Sequence, residues 1–289
     1  MYFYLHYLVF APLLLLALLW ISFPKRRPWQ IFTSAITAIF RTKGGLLLLA
    51  CYLFVSVTNL VEAMFDERLT AALGYDFTAK VRALEGPLVE FVQDSLLALP
   101  AGDTLIAILA LAYTAGYVAW LLYPSFAFFA LGRSRAAGSY ALAFAANYLF
   151  ALPFYLFFPV REVAWSGLST ARPLLEEAWP GITEPLRMES ALDNCFPSLH
   201  VSIAVTAMYF VFRYGSPRMK LVGWPMTFMI CLSVLALAIH WGVDTIAGIP
   251  FGLMCATFGE RFFRPEKAPE AAPKQVGLAE PCEATDDSL

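Results

Sequence analysis

Long apolar runs separated by short basic or polar clusters dominate this chain. A helix needs about 20 mostly apolar residues to cross a bilayer, and candidate crossings lie near 3–23, 44–62, 105–131, 139–160 and 198–212. From Leu221 to Gly259 the chain stays apolar for 39 residues, with His240 and Asp244 as its only histidine, acidic or basic interruptions. That is too long for one crossing and right for two joined by a short turn. The pattern predicts an all-α, polytopic transmembrane helical bundle of about six to seven spans. Residues 29–42, between two basic clusters, read as an interfacial helix. Leu84, Leu88, Phe91, Val92, Leu96 and Leu99 recur at helical spacing against Glu85, Glu90, Gln93 and Asp94, which predicts a helix lying flat on the outer leaflet. It either packs the bundle edge or guides lipid toward a site. The expected organisation is an anchor helix and interfacial segment over 1–43, a membrane-embedded domain over 44–263, and a disordered tail over 264–289, rich in Pro, Ala and Glu. The first span is expected to stay as an anchor, since Lys25-Arg26-Arg27 follow it rather than precede it.

Composition supports the membrane class: 60% hydrophobic and only 15% charged residues, against roughly 25% charged in soluble domains. A net charge of −2 leaves no basic field for nucleic acid, so lipids are the expected partners. The distribution of charge orients the chain. Alternating seven spans from an outside N-terminus puts 14 of the 20 basic residues on one side, which by the positive-inside rule is the cytoplasm. The C-terminus is then cytoplasmic, and loops 63–104 and 161–197 are extracytoplasmic. The five cysteines show no paired spacing that points to a disulfide framework or a zinc site.

Candidate chemistry lies in two stretches, Cys195-Phe196-Pro197-Ser198-Leu199-His200 and His240-Trp241-Gly242-Val243-Asp244. The topology brings both to the outer face. The third histidine, His6, has no polar neighbours in sequence. His240 and Asp244 stand four apart, so on a helix they share a face, and the carboxylate can hold one imidazole nitrogen while the other serves as nucleophile. Ser198, near a helix start, adds a hydroxyl and adjacent N–H groups to an anion site. A metal site built on His200, His240 and Asp244 lacks further ligands in sequence and ranks behind.

These stretches resemble the type 2 phosphatidic acid phosphatase superfamily, whose second and third motifs read Pro-Ser-x-His and His-x-x-x-Asp; here they are Pro197-Ser198-Leu199-His200 and His240 through Asp244. Phe-Pro-Ser-Leu-His and His-Trp-Gly-Val-Asp-Thr-Ile-Ala-Gly are most similar to the branch containing inositol phosphorylceramide synthases. The resemblance covers roughly 105–262. It implies that His240 attacks phosphorus to give a phosphohistidine, Asp244 orients it, His200 protonates the leaving oxygen and Ser198 holds a phosphoryl oxygen. It also implies no metal or other cofactor, and a catalytic face that is extracytoplasmic or lumenal.

The sequence departs from the family in its cations. The first motif, Lys followed after six residues by Arg-Pro, is absent: Arg172-Pro173 has Trp165 where lysine should stand, and Ser233-Val234 replaces the Ser-Arg before His240. Arg161, just after the fourth span, is the candidate substitute for binding phosphate, with Arg172 and Arg187 as alternatives. Its other reading is an interfacial arginine snorkelling to head groups or paired with Glu162. A pocket poor in cations favours a phosphodiester monoanion over a phosphomonoester dianion. The expected function is therefore a lipid phosphotransferase with a phospholipid donor and an alcohol acceptor. The alternatives are a lipid phosphate phosphatase and, outside enzymes, a transporter with Asn59, Glu62, Asn147, Arg161 and Asp244 as its polar path.

Overall fold

The computed structural model describes residues 2–185 and 193–264. Among them the chain is helical, and its only extended pairing is an isolated parallel bridge between Val160 and Asn194. Helix α1 (Tyr2–Leu5) runs through a π-turn (His6–Phe10) into α2 (Ala11–Ser22). Next come α3 (Pro28–Arg41) and the long α4 (Lys43–Leu73). Two short helices, α5 (Thr78–Glu85) and α6 (Leu88–Leu97), precede α7 (Gly102–Leu111), which passes through a second π-turn (Ala112–Gly116) into α8 (Tyr117–Ala130). The chain continues through α9 (Ser134–Phe157), α10 (Leu174–Ala178), α11 (Leu199–Tyr214), α12 (Pro217–Ala236) and α13 (Gly242–Phe262).

Among the described residues five helical stretches are long and apolar enough to cross a membrane: Lys43–Glu62, Gly102–Ala130, Ser134–Phe157, Pro217–Ala236 and Gly242–Phe262. The chain is thus an all-helical, polytopic integral membrane protein. Two further apolar helices, His6–Ser22 and Leu199–Tyr214, are shorter. The interfacial segment forms α3, which buries Ile31 and Ala35 and exposes Trp29, Phe32, Ile36 and Phe40. The expected tail lies outside the described residues.

Alanine-rich α9 packs closely against α4, α11 and α13, since its small side chains let backbones approach. The α11–α13 contact depends on Gly248 and Gly252. A Cβ on Gly248 would stand 2.9 Å from the Ser198 carbonyl oxygen, and one on Gly252 would stand 2.3 Å from that of Ser202.

At one end of the bundle, arginines serve as helix C-terminal partners. Arg26 donates to the Ala130 carbonyl at 2.7 Å, Arg133 to that of Tyr214, and Arg213 pairs with Glu260 at 2.9 Å. The opposite end carries the outer helices, which depart from the amphipathic expectation. Instead of one helix there are two, broken at Gly86-Pro87, where Gly86 has φ +66°. The residues turned inward are Val81, Val89 and Gln93, while Leu84 and Phe91 are exposed. Polar Gln93 is buried because its amide accepts from the Arg172 N–H and donates to the carbonyls of Arg172 and Ala236, at 2.9 to 3.0 Å. Hydrophobic periodicity alone cannot register such a side chain acting as a backbone partner.

Candidate active site

Each motif begins a helix. Ser198 is the N-cap of α11, its hydroxyl accepting from the Val201 N–H at 3.4 Å, and His200 is the second residue of that helix. The preceding segment is fixed by its neighbours: Val160 donates to the Asp193 carbonyl, Cys195 donates to the Val160 carbonyl, and the Tyr155 hydroxyl donates to the Pro197 carbonyl at 3.2 Å. The ring of His200 stacks on Tyr113 at 4.5 Å and meets Tyr117 at 4.4 Å between centroids. Tyr113 belongs to the second π-turn, a local widening that recurs at functional sites.

His240 lies in the turn that ends α12. The Ile239 N–H bonds back to the Val234 carbonyl and the Ala238 N–H to that of Leu235, the hydrogen-bond pattern of a Schellman cap. Its left-handed position, usually glycine, is Ala238 at φ +56°. Asp244 then closes the start of α13, its Oδ2 accepting from the Trp241 N–H at 3.0 Å. The same oxygen stands 3.7 Å from His240 Nδ1. His240 is 5% exposed and Asp244 is fully buried. The two histidine rings are 5.9 Å apart.

Sequence reasoning named His200, His240, Asp244 and Ser198, and the structure brings them together. It also adds Cys195, whose thiol, His240 and Asp244 each offer a ligand atom within 4.8 Å of the others. The 44 residues between Cys195 and His240 hid this approach. Burial pushes the Cys195 thiol well above its ordinary range, helped by the charges of Glu162, Asp244 and Asp193, so it is an uncharged thiol at neutral pH.

Glu85 was also missed as a site residue. From the end of α5 its Oε2 accepts the Val243 N–H at 3.1 Å, satisfying a donor at the open N-terminus of α13. Burial raises the Glu85 carboxyl, against the pull of hydrogen bonds from Val243 and Gly242. Arg82, one turn earlier, lies 5.9 Å from the Trp241 ring centre and pairs with Glu90 at 2.8 Å.

Arg161 reaches the site through its backbone, its carbonyl accepting from the Trp241 indole at 2.8 Å. Its half-exposed guanidinium pairs with Asp76 at 3.1 Å, so its ion-pair partner is Asp76. Burial works against the Asp76 charge, but hydrogen bonds from Thr78 and the Arg161 guanidinium hold its carboxyl below the usual value. Arg172 pairs with Glu177, and Arg187 lies outside the described residues. His6 belongs to another cluster: its Nδ1 is 2.7 Å from the Thr114 hydroxyl, which donates to Ala110, so the imidazole is the donor. Asn147, part of the transporter path considered above, donates to Ala143 and Thr206 in an interhelical hydrogen-bond chain.

The arrangement is a half-buried histidine, His200, facing a buried one, His240, with the buried carboxylate of Asp244 behind it, a set of groups able to carry nucleophilic and acid–base chemistry. The family model described as the PAP2 superfamily matches residues 137–267, a stretch that holds both motifs and helices α9 and α11–α13. No curated protein and no solved structure matches the chain.

Proposed function

We propose that this chain is a membrane-embedded lipid phosphotransferase of the inositol phosphorylceramide synthase type. The observation that carries the reading is the pair of histidine rings 5.9 Å apart, with Asp244 3.7 Å behind His240 Nδ1. With its proton on Nδ1 toward Asp244, His240 presents the Nε2 lone pair to phosphorus. A P–N bond forms, the P–O bond to the diacylglycerol-like alcohol breaks, and His200 gives that oxygen its proton. The acceptor hydroxyl then attacks the phosphohistidine, returning a proton to His200 as the P–N bond breaks. Ser198 contributes its hydroxyl to a phosphoryl oxygen.

The ion pairs support a diester donor. Among the described residues Arg82, Arg161 and Arg172 each pair with a carboxylate, which lowers the positive charge they offer to a dianion. The site also lies at the end opposite the arginine-capped one; the positive-inside rule makes the arginine-capped end cytoplasmic, and so favours an extracytoplasmic site. The contacts of α5 with α13 and of α6 with α12 fit a structural role for this segment, and Leu84 and Phe91 are exposed on it.

Purified protein incubated with a labelled glycerophospholipid, with and without an alcohol-bearing acceptor lipid, tests the reading. Acceptor-dependent transfer lost in His240→Ala is expected. Phosphate released faster from phosphatidic acid would make the protein a phosphatase, and transport surviving His240→Ala without phosphorus chemistry would make it a carrier. For orientation, Lys80→Cys is expected to react with an impermeant thiol reagent before permeabilisation.

A further inference from the structure

The geometry points to a binding site for a soft divalent cation, of the zinc or cadmium class, formed by Cys195, His240 and Asp244, whose occupation silences His240. All three residues are buried, and one ligand atom from each lies within 4.8 Å of the other two. Two of their polar atoms, His240 Nδ1 and Asp244 Oδ1, have no hydrogen-bond partner. The Cys195 thiol has only a long contact to the Ile239 carbonyl, at 3.6 Å.

Three separate constraints hold these groups. The bridge to Val160 places Cys195, the Schellman turn places His240, and the first turn of α13 places Asp244. Zinc binds sulfur at about 2.3 Å and nitrogen or oxygen at about 2.0 to 2.2 Å, so neighbouring ligands of a tetrahedral ion stand roughly 3.3 to 3.6 Å apart. The His240–Asp244 edge, at 3.7 Å, is already near that value. The remaining edges are at most 4.8 Å, so binding requires side-chain rotation of about 1 Å to reach those separations.

A thiolate, an imidazole and a carboxylate together select zinc or cadmium over magnesium or calcium, which prefer all-oxygen sites. Charge agrees. A divalent ion with one thiolate and one carboxylate gives a neutral buried cluster, which minimises the desolvation penalty. On binding, the ion displaces the Cys195 thiol proton to solvent and takes the Nδ1 lone pair of His240.

The consequence is a choice of tautomer. Attack on phosphorus requires the proton on Nδ1 and the lone pair on Nε2, whereas a metal on Nδ1 forces the proton onto Nε2. Metal binding and phosphoryl acceptance therefore exclude one another. The metal site stands on its own geometry; only the loss of turnover rests on the function proposed above.

Titration of the chelator-treated, full-length protein in detergent with cadmium or zinc alone tests the site. One equivalent of cadmium is expected to give the ultraviolet thiolate-to-cadmium charge-transfer band, absent in Cys195→Ser and retained in Cys231→Ser. Zinc is expected to abolish lipid turnover by lowering kcat with KM unchanged, reversibly by chelator, while whatever rate Cys195→Ser has without zinc is expected to be the same with it. A band unchanged in Cys195→Ser, or absent from the native protein, overturns the site whatever the activity. A Cys195-dependent band that leaves turnover intact upholds the site and overturns His240 as nucleophile.

Discussion

The backbone N–H of Ser198 donates to the carbonyl of Asp244 at 3.3 Å, so the two motifs are joined by their own main chains. The N-terminus of α11, where Ser198 offers its hydroxyl, is thereby registered against the turn that carries the His240–Asp244 pair. Gly248 and Gly252 continue that register deeper in the membrane.

Removing the nucleophile and removing its support have different consequences. His240→Ala is expected to lose essentially all turnover, while Asp244→Asn keeps a weak residual rate, because orientation and charge stabilisation go but the lone pair stays. Phosphoenzyme trapped from the native protein should be acid-labile and base-stable. Full activity in His240→Ala, or label on a serine, would exclude the mechanism.

In the proposed mechanism His200 protonates the leaving oxygen, which makes its importance depend on the leaving group. Turnover by His200→Ala should recover in part with an ester of an acidic phenol, whereas His240→Ala should not. Equal losses on good and poor leaving groups would remove the general-acid role.

Gly248→Ala and Gly252→Ala test the helix contact. Each added methyl meets a carbonyl of α11, and overpacking of this kind costs about 1 to 3 kcal/mol, read as a lower Tm in detergent. Gly252→Ala should be the worse of the two, since its Cβ approaches at 2.3 Å rather than 2.9 Å. An unchanged Tm for both would show that α11 and α13 part without cost.

For Glu85, a hydrogen bond to an ionised group contributes about 1.5 to 3 kcal/mol, so Glu85→Ala is expected to lower both Tm and kcat, with Glu85→Gln restoring part of each through its amide oxygen. KM for the donor lipid should move little, because Glu85 holds α13 rather than substrate. A rise in KM alone would reassign Glu85 to lipid contact.

Arg161 separates stability from binding. Its pair with Asp76 is exposed, and such pairs are worth about 0 to 1 kcal/mol, so Arg161→Ala should leave Tm almost unchanged. If the guanidinium also leaves Asp76 for the lipid phosphate, KM rises sharply in the same variant. An unaltered KM would show that another cation serves the phosphate.

Much of this was legible in sequence because membrane helices announce themselves by length and because His240 and Asp244 are only one helical turn apart. Ser198 could be read as a cap from its place before an apolar run. The partners supplied from afar could not be read. Cys195 joins His240 only after α11 and α12 have turned back, Gln93 is buried by two carbonyls distant in sequence, and Glu85 finds its N–H across 158 residues. Arg161 was read as a cation for phosphate; its main-chain carbonyl meets Trp241, while its guanidinium pairs with Asp76, which no spacing rule connects to it.

The cap that Glu85 places on α13 lies outside the stretch of chain the family match covers. A chimaera that transplants residues 137–267 into another membrane scaffold would carry both histidines and Asp244, yet leave the Val243 N–H without its acceptor. The matched segment is thus not a portable cassette, and its transfer should succeed only when α5 travels with it.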